Sequence, residues 1–458
     1  MTAEGLREAI ELMRADGASD EATAVFAHYY RELESGASGL IAEDEIDPVP
    51  QLPHLDELEV PDDVAREAFA ATAVVKLNGG LATSMGLDRA KSLLQVTDGL
   101  SFLDIIVRQV LNQREHYGVQ LPLLFMDSFR TSSDSLAALS GYPKLPVPPL
   151  PLDFLQNREP KLRADDLAPV DWPADPSLQW CPPGHADVYP ALHSSGVLDA
   201  LLARGYRYAF LSNSDNLGAV AEPRIAGWLA ANDIPFALES TRRTPADRKG
   251  GHLAVRRSDG RLVLRETAQT GPEDIAALQD LSRHQFCNTN NLWLDLRRLR
   301  EALARTGGVL GLPLIRNVKT VDPQDPSTPE VIQIEAAMGA AVQVFDGARS
   351  VLVDRTRFAP VKTTNDLLLL RSDRYVLGAD ARLAASGQTF VDLDPAFYKQ
   401  LRDFEARFPD GPPSLIGCAS LRVRGDITFG AGVIARGDVA LDATVAGNRI
   451  EANTELGP

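Results

Sequence analysis

Short apolar runs alternate with longer amphipathic segments from residue 71 onward, and this alternation constrains the fold of the 458-residue chain most. Strands are predicted over residues 73–77, 121–126 and 208–212, and a helix over residues 102–115. This alternation predicts an α/β fold, a mostly parallel sheet with helices on both faces. Such sheets bind ligands beyond the carboxyl ends of their strands, so the residues after each apolar run are candidates for a site.

A Gly-rich loop, residues 76–86, follows the first apolar run and is closed by Lys91. Glycines let the backbone approach a ligand, so that its N–H groups can face phosphate oxygens. A tight strand-to-helix turn without a ligand accounts for the same glycines. The carboxylate of Asp215 follows the run 208–212 and is expected at the same sheet edge, which places it in one site with the loop.

The Gly-rich loop differs from the common nucleotide-binding motifs. It matches neither GxGxxG nor GxxxxGK[ST], so it is neither the dinucleotide fingerprint nor a P-loop. An oxidoreductase that uses a dinucleotide is therefore a poor interpretation.

Composition restricts the partners and the compartment. The formal net charge of −17 argues against binding to nucleic-acid backbones or anionic membranes. No stretch of about 18 apolar residues exists that could span a membrane, and the N-terminus has no apolar run typical of a signal peptide. Three cysteines, Cys181, Cys287 and Cys418, lie far apart without a CxxC pair, which favours a reducing cytoplasm over a disulfide framework or a zinc site.

The two ends of the chain differ from its centre. Residues 4–36 predict two helices broken near Gly17, and the acidic, proline-containing residues 43–62 predict a linker or a strap on the next domain. The predicted divisions are a helical region with its linker over residues 1–62, a catalytic domain over 63–385 and a C-terminal domain over 386–458.

An apolar residue recurs every six positions in the tail, at Leu421, Ile427, Val433, Val439 and Val445. This period is typical of hexapeptide β-helix coils, with irregular strands as the alternative. Coils of this kind have open ends, so a cap or a partner, including a second copy of the chain, is expected.

Several separate blocks resemble the eukaryotic-type UTP–glucose-1-phosphate uridylyltransferase (UDP-glucose pyrophosphorylase) family, in the family's order. The blocks are residues 76–86, 126–131, 156–158, 182–185, 212–218, 249–251, 288–293, 333–341 and 358–370. The resemblance implies a nucleotidyltransferase domain that is GT-A-like and Rossmann-like, with a mixed, mostly parallel sheet. It also implies a C-terminal left-handed β-helix.

The resemblance implies transfer of a uridylyl group from UTP to glucose 1-phosphate, which gives UDP-glucose and pyrophosphate. The attacking phosphate oxygen is already an anion, so catalysis reduces to aligning two anions and screening their charge. The resemblance also implies Mg²⁺ as cofactor, held by Asp215, because this cation prefers carboxylate and phosphate oxygens.

Further site residues follow from the resemblance. The backbone of Leu77, Asn78, Gly79 and Gly80 would face UTP, and Lys91 would reach its phosphates. The uracil ring would meet Gln156 and Gly184, while His185 would lie near the nucleotide and the sugar phosphate. Lys362 would neutralise a phosphate. The sugar would lie against Gly251, Glu266, Asn288 and Asn290, of which the last two precede another apolar run, 291–296.

Two departures from the family's pattern fall near the loop. Ala82 replaces a glycine and is expected to narrow the approach of the phosphate, whereas Ala90 replaces a proline with little expected loss. A broader UDP-sugar pyrophosphorylase and a catalytically silent nucleotide-binding assembly protein remain the alternative interpretations.

Overall fold

The structure, a computed structural model, describes residues 2–457 except 82, 88, 98, 249 and 447. Ala82 and Lys249 therefore lie outside the described residues, and the expectation for Ala82 stays a prediction. The α-helices are α1 (Thr2–Ala15), α2 (Asp20–Glu34), α3 (Asp62–Ala70), α4 (Phe102–Tyr117), α5 (Ser132–Leu139), α6 (Val188–Ser194), α7 (Val197–Ala203), α8 (Pro223–Ala231), α9 (Ile275–Leu278), α10 (Leu296–Thr306), α11 (Thr364–Arg371), α12 (Pro395–Tyr398), α13 (Leu401–Arg407) and α14 (Ala443–Ala446).

The strands are numbered in chain order. Those up to residue 295 are β1 (Ile46–Pro48), β2 (Thr72–Leu77), β3 (Gln95–Thr97), β4 (Leu100–Ser101), β5 (Leu123–Asp127), β6 (Asp153–Leu155), β7 (Glu159–Pro160), β8 (Leu162–Arg163), β9 (Trp180–Cys181), β10 (Tyr208–Asn213), β11 (Phe236–Arg242), β12 (His252–Arg256), β13 (Leu262–Arg265) and β14 (Phe286–Asp295). The later ones are β15 (Ile315–Thr320), β16 (Glu330–Glu335), β17 (Arg349–Leu352), β18 (Tyr375–Leu377), β19 (Leu383–Ala385), β20 (Phe390–Leu393), β21 (Cys418–Arg424), β22 (Thr428–Phe429), β23 (Ile434–Ala435), β24 (Gly437–Asp442), β25 (Arg449–Ile450) and β26 (Glu455–Leu456).

A seven-stranded sheet in the order β17-β11-β14-β10-β2-β5-β6 forms the centre of the molecule. Its pairs are parallel except that β14 runs antiparallel to both neighbours, β10 and β11. The predicted mostly parallel α/β sheet is thus confirmed. The carboxyl ends of β2, β5 and β10 meet at one edge, where the predicted loop and Asp215 follow β2 and β10.

Apolar side chains of successive strand residues enter two separate cores. In β2, Val74 packs into one core with α3, α4, α8 and α11, and Val75 packs into the other with α1, α2, α6, α7 and α10. A strand buried on both faces has no polar alternation, which is why residues 71–75 read as a continuous apolar run.

The N-terminal region has the predicted form. Two helices, α1 and α2, are separated at Gly17, whose φ of 87° favours glycine, and Ser19 caps α2 by accepting from the N–H of Ala22. The acidic segment after them is a strap on the central region, because β1 pairs antiparallel with β12.

In the described part of the tail there are three short parallel sheets, formed by β20-β21-β24, β22-β25 and β23-β26. Leu421, Ile427, Val433 and Val439, four of the residues in the six-residue period, are buried. The side chain of Val445 lies outside those described; its residue belongs to α14, which interrupts the repeat after β24.

No helix in the described part of the chain is long and apolar enough to cross a lipid bilayer. The three cysteines are buried and unpaired.

Candidate active site

Two backbone amides are free at the tip of the Gly-rich loop. The N–H groups of Gly79 and Gly80 have no acceptor among the described residues, while the N–H of Lys91 closes the loop onto the carbonyl of Gly80 at 3.3 Å. Ala90 has φ −53°, a value that proline adopts, so the chain keeps this geometry without the ring. The loop therefore presents donors to an anion, as predicted.

Leu77 and Asn78 are used differently from their neighbours. The carbonyl of Leu77 accepts from the N–H of Ser214, and the N–H of Asn78 donates to Met126, so these groups belong to the sheet. The buried amide side chain of Asn78 donates to Asp127 at 2.8 Å and accepts from the hydroxyl of Ser214 at 3.0 Å. Asn78 thus joins the ends of β2, β5 and β10 rather than pointing a side chain at a ligand.

Two lysines flank the loop, and only one is available to a phosphate. Lys76 is buried and donates to the Ser212 hydroxyl at 2.8 Å and the Ala219 carbonyl at 2.7 Å, and burial lowers its pKa to about 7. The ammonium group of Lys91 instead lies 2.7 Å from a carboxylate oxygen of Asp215, and both side chains keep 17–18% of their exposure.

Asp215 has one oxygen to spare. Its Oδ2 pairs with Lys91, while its Oδ1 is buried without a hydrogen-bond partner among the residues described. An unpaired buried carboxylate oxygen is costly, so the position suits a cation or a donor that arrives with a ligand. The Gly-rich loop and Asp215, which the sequence places at one sheet edge, are thus in direct contact through Lys91.

Gln156 adjoins the Gly-rich loop, and its predicted contact with the uracil ring stays a prediction. A Cβ built on Gly79 would lie 2.4 Å from the Oε1 atom of Gln156, so the glycine lets the end of this side chain lie against the loop backbone. The backbone N–H of Gln156 donates to the carbonyl of Asp127 at the end of β5.

The Pro-Pro-Gly turn carries a third backbone amide without an acceptor among the described residues. Gly184 has φ 81°, and the structure records no acceptor among described residues for its N–H. The turn is pinned to the end of β16, since Ala336 donates to the carbonyl of Pro183 and accepts from the N–H of Ala186.

Replacing Gly184 by alanine is expected to destabilise the fold by about 2 kcal/mol or more, because its backbone conformation is strained for any other residue. The new Cβ would also lie 2.7 Å from the Ala336 carbonyl oxygen and 2.8 Å from its nitrogen. Urea unfolding measures the change. Gly80→Ala is the control, since its Cβ would meet nothing within 4 Å, and equal midpoints for the two variants would contradict the prediction.

His185 is held as a neutral ring with a defined tautomer. Its Nδ1 accepts from the N–H of Met338 at 2.9 Å, so the ring proton lies on Nε2, which is a donor. Burial, and then the charge of Lys362, lowers the pKa of His185 to about 4. At neutral pH this histidine can donate a hydrogen bond without carrying a charge.

The residues predicted to bind the sugar line one cavity of about 520 Å³. Gly251, Glu266, Asn288, Asn290 and Lys362 all belong to its wall. The carboxylate of Glu266 would lie 2.4 Å from a Cβ at position 251, so glycine makes room for it. Burial raises the pKa of Glu266, and the nearby charge of Lys362 opposes this.

A bulge in β14 aims the two asparagines into this cavity. Opposite β11 the register jumps from Asn291 to Asn288, and Asn290 adopts φ 57°, a left-handed conformation. The side chains of Asn288 and Asn290 are hydrogen-bonded to each other at 2.8 Å. Bulges often re-aim side chains beside active sites, as this one does.

Lys362 connects the two halves of the site. Its side chain is exposed, and its charge acts on both His185 and Glu266. The loop before it is anchored beside Asp215, because the N–H of Val361 donates to the Asp215 carbonyl at 3.1 Å. Lys362 therefore belongs to the cavity wall and also lies close enough to His185 for its charge to act there.

Sequence reasoning missed two residues that hold the site together, Glu239 and Arg357. They form a buried ion pair in which the Arg357 Nη2 lies 2.6 Å from a Glu239 oxygen. Both lie near other charged residues in the sequence, and no local pattern marks their contact across 118 positions.

Unpaired amides at the strand ends and Lys362 in the cavity wall are groups that can bind anions. A family model described as UTP–glucose-1-phosphate uridylyltransferase matches residues 23–436. The chain belongs to this family. Since the blocks 76–86 to 358–370 lie within the matched range, membership supports the resemblance seen in the motifs.

Curated relatives and solved structures extend the uridylyltransferase match over most of the chain. The UTP–glucose-1-phosphate uridylyltransferase of Solanum tuberosum is 40% identical over 381 residues, 81% of this chain and 76% of that protein. The one of Saccharomyces cerevisiae is 37% identical over 382 residues, 81% of this chain and 73% of that protein.

Two solved structures match nearly end to end. The UDP-glucose phosphorylase of Trypanosoma brucei has a TM-score of 0.89 at 41% identity and covers 99% of both chains. The UDP-glucose pyrophosphorylase of Leishmania major, solved in open and closed forms, has a TM-score of 0.93 at 40% identity, covering 99% of this chain and 98% of that one. A variant of the Leishmania enzyme was solved in complex with UDP-glucose.

Proposed function

We propose that this chain catalyses the family's reaction, the transfer of a uridylyl group from UTP to glucose 1-phosphate with release of pyrophosphate. The observation that carries the proposal is the position of Lys362, whose charge acts on His185 on the nucleotide side and on Glu266 in the sugar cavity. A cation placed there can bring two anionic substrates together and screen the charge that develops on the reacting phosphate.

The nucleotide would bind along the strand ends. The free N–H groups of Gly79 and Gly80 would donate to phosphate oxygens, and Lys91 would move from Asp215 to the phosphates. Gln156 and the N–H of Gly184 offer the donors and the acceptor that an imide edge such as that of uracil requires.

The sugar phosphate would occupy the cavity. Glu266, Asn288 and Asn290 would bind its hydroxyl groups, since carboxylates and amides accept and donate in pairs. Lys362 and the Nε2–H of His185 would hold the phosphate so that one of its oxygens faces the α-phosphorus of UTP. The phosphate is the nucleophile as it stands, so no side chain has to remove a proton.

We also propose Mg²⁺ as the cofactor, with Asp215 as its protein ligand. The buried, unpaired Oδ1 atom supports this, because Mg²⁺ is commonly bound by one or two carboxylates together with substrate phosphates. A bound Mg²⁺ would supply charge screening on the phosphate oxygens.

The test is to mix the purified protein with UTP, glucose 1-phosphate and Mg²⁺ and to measure both products. UDP-glucose and pyrophosphate are expected to form in equal amounts. Adding EDTA is expected to abolish the rate and added Mg²⁺ to restore it. UTP binding without any turnover would favour a silent nucleotide-binding protein. A rate that persists in EDTA would contradict the role of Asp215.

A broader UDP-sugar pyrophosphorylase is the second candidate. The cavity extends past the residues proposed to bind the sugar. Its wall there is polar and could contact a larger sugar; it contains Asp247, Arg355, Arg374 and Gln388. Initial rates with glucose, galactose and N-acetylglucosamine 1-phosphates compare the two. Equal rates with all three would replace the glucose assignment with the broader one.

We further propose that the C-terminal parallel sheets form a left-handed β-helix whose last coil, β24 to β26, suits association with a second copy. Parallel pairing of successive coils supports the proposal. Sedimentation of the full chain tests it, and a mass that stays at 49.6 kDa at high concentration would contradict self-association.

We propose the cytoplasm as the compartment of this protein. The unpaired cysteines support a reducing compartment, and localisation of the tagged chain in cells would test it.

A further inference from the structure

The loop that carries Lys362 is bound to the turn after β10 at several points. The N–H of Ala359 donates to the Oδ1 of Asn216 at 3.0 Å, and the Nδ2 of Asn216 donates to the carbonyl of Arg357 at 3.1 Å. A Cβ on Gly218 would lie 2.3 Å from the carbonyl oxygen of Thr356, so the two segments are in close contact. The loop is thus anchored beside Asp215 rather than free.

Glu239 lies under this contact and is fully buried, with 0% of its side chain exposed. Its Oε1 accepts from Trp293 Nε1 at 2.9 Å and from Arg357 Nη2 at 2.6 Å, and its Oε2 accepts from Asn291 Nδ2 at 3.0 Å and from Arg357 Nε at 2.8 Å. Four donors satisfy one carboxylate, and two of them form a bidentate arginine fork that fixes the plane of the guanidinium.

The same pair reaches the bulge that aims the sugar-binding asparagines. The backbone carbonyl of Glu239 accepts from the hydroxyl of Thr289 at 2.7 Å, inside the bulge. Asn291, directly after the bulge, donates to the Glu239 carboxylate and to the Arg357 carbonyl. The ion pair is therefore hydrogen-bonded to the bulge, and its Arg357 begins the segment that leads to Lys362.

Stability alone does not account for a pair at this position. Burying two charges costs desolvation that their attraction often only balances, so a buried ion pair is weak evidence for a stabilising role. A bidentate, four-donor arrangement does fix geometry, and here it joins three segments that carry Asp215, Asn290 and Lys362.

We propose that Arg357 and Glu239 are positioning residues, which set the distance of Lys362 from the sugar-binding bulge and from Asp215. The proposal rests on the proposed function, because it concerns how glucose 1-phosphate is placed against UTP. Among the described residues, neither side chain is hydrogen-bonded to Gly79 or Gly80, so we expect the pair to affect binding of the sugar phosphate more than binding of UTP.

The test is Arg357→Lys, which keeps the positive charge but loses the bidentate fork. We expect the KM for glucose 1-phosphate to rise and kcat to fall, each about tenfold, because small displacements of a positioned group are expensive in rate. The equilibrium Kd for UTP, measured by calorimetry, is expected to change less than about twofold. A purely structural role would reduce the active fraction and leave both substrates' constants alone.

Arg207→Lys is the matched control. Arg207 pairs with the buried Asp295 at 2.8 Å at the other end of β10, so the same substitution there should lower stability without separating the two substrates. If Arg357→Lys does not fold, Asn216→Ser, which leaves both charges paired but removes the links to the Arg357 carbonyl and to Ala359, carries the same expectation.

The outcomes separate the two proposals. A wild-type protein that forms no UDP-glucose overturns the proposed function. An active wild type, with a folded Arg357→Lys or Asn216→Ser variant whose KM for glucose 1-phosphate is unchanged, overturns the positioning role. A parallel loss of affinity for UTP and for the sugar phosphate overturns it as well.

Discussion

Replacing Asp215 by asparagine is expected to lower kcat about a thousandfold, since loss of a metal ligand forfeits several kcal/mol of charge screening in the transition state. Binding of UTP without Mg²⁺ is not expected to weaken, because Lys91, now 2.7 Å from the Asp215 carboxylate, would no longer be neutralised by it. Pyrophosphate release across a range of Mg²⁺ concentrations and calorimetry with UTP measure these two effects.

Asp295→Asn is the control for this substitution. Asp295 is also buried and ion-paired with an arginine, but it lies beside the start of β10, whereas Asp215 follows the end of that strand. Asp295 also caps α10 by accepting from the N–H of Arg297. Asparagine caps helices about as well as aspartate, so only the ion pair is lost. If Asp215→Asn kept a Mg²⁺-dependent kcat within tenfold of wild type, Asp215 would not be the metal ligand.

The position of the candidate site at one sheet edge followed from the sequence, because the carboxyl ends of parallel strands meet at the same edge. Apolar runs before the Gly-rich loop and before Asp215 identified two parallel strands, and parallel strands put their carboxyl ends at one edge. The structure has β2 and β10 as neighbours, with Lys91 bonded to Asp215 between them. Local pattern and sheet geometry were sufficient for this part.

The direction of β14 could not be predicted in the same way. An apolar run starting at residue 291 suggested one more strand after a loop, whereas the strand begins at Phe286, runs antiparallel and contains Asn288 and Asn290 in a bulge. A bulge depends on pairing with β11 and on the hydroxyl of Thr289 bonding the Glu239 carbonyl. Such contacts are set by the folded sheet, not by neighbouring residues.

The roles of single side chains were the least predictable part. The motif predicts a ligand contact for the backbone of Asn78, and it gave no sign that the amide side chain cross-links three strand ends. The tautomer of His185 depends on the N–H of Met338, which is 153 positions away. Polar side chains have several possible partners, and only the tertiary structure selects among them.

Replacing Lys362 by methionine is expected to lower kcat about 100- to 1000-fold and to raise the KM for glucose 1-phosphate, since one cation facing the reacting phosphate is removed. A second effect distinguishes loss of its charge from misfolding. Lys362 lowers the pKa of His185, so the pKa of this histidine is expected to rise above about 4 in the variant. NMR titration of the seven histidines measures it.

The sign of the accompanying change in stability follows from the same shift. The unfolded chain binds a proton at His185 near pH 6.5 and the folded chain only near pH 4, so acidification through this window destabilises the fold. Lys362→Met raises the folded-state pKa of His185 towards its unfolded value, so acidification should remove less folding stability in this variant.

Lys362→Arg is the control that keeps the charge. It should leave the pKa of His185 near 4 while restoring turnover only in part, because the guanidinium is larger and planar. An unchanged pKa of His185 in the methionine variant would mean that Lys362 does not lie against the nucleotide side of the site, and the role proposed for it would be lost.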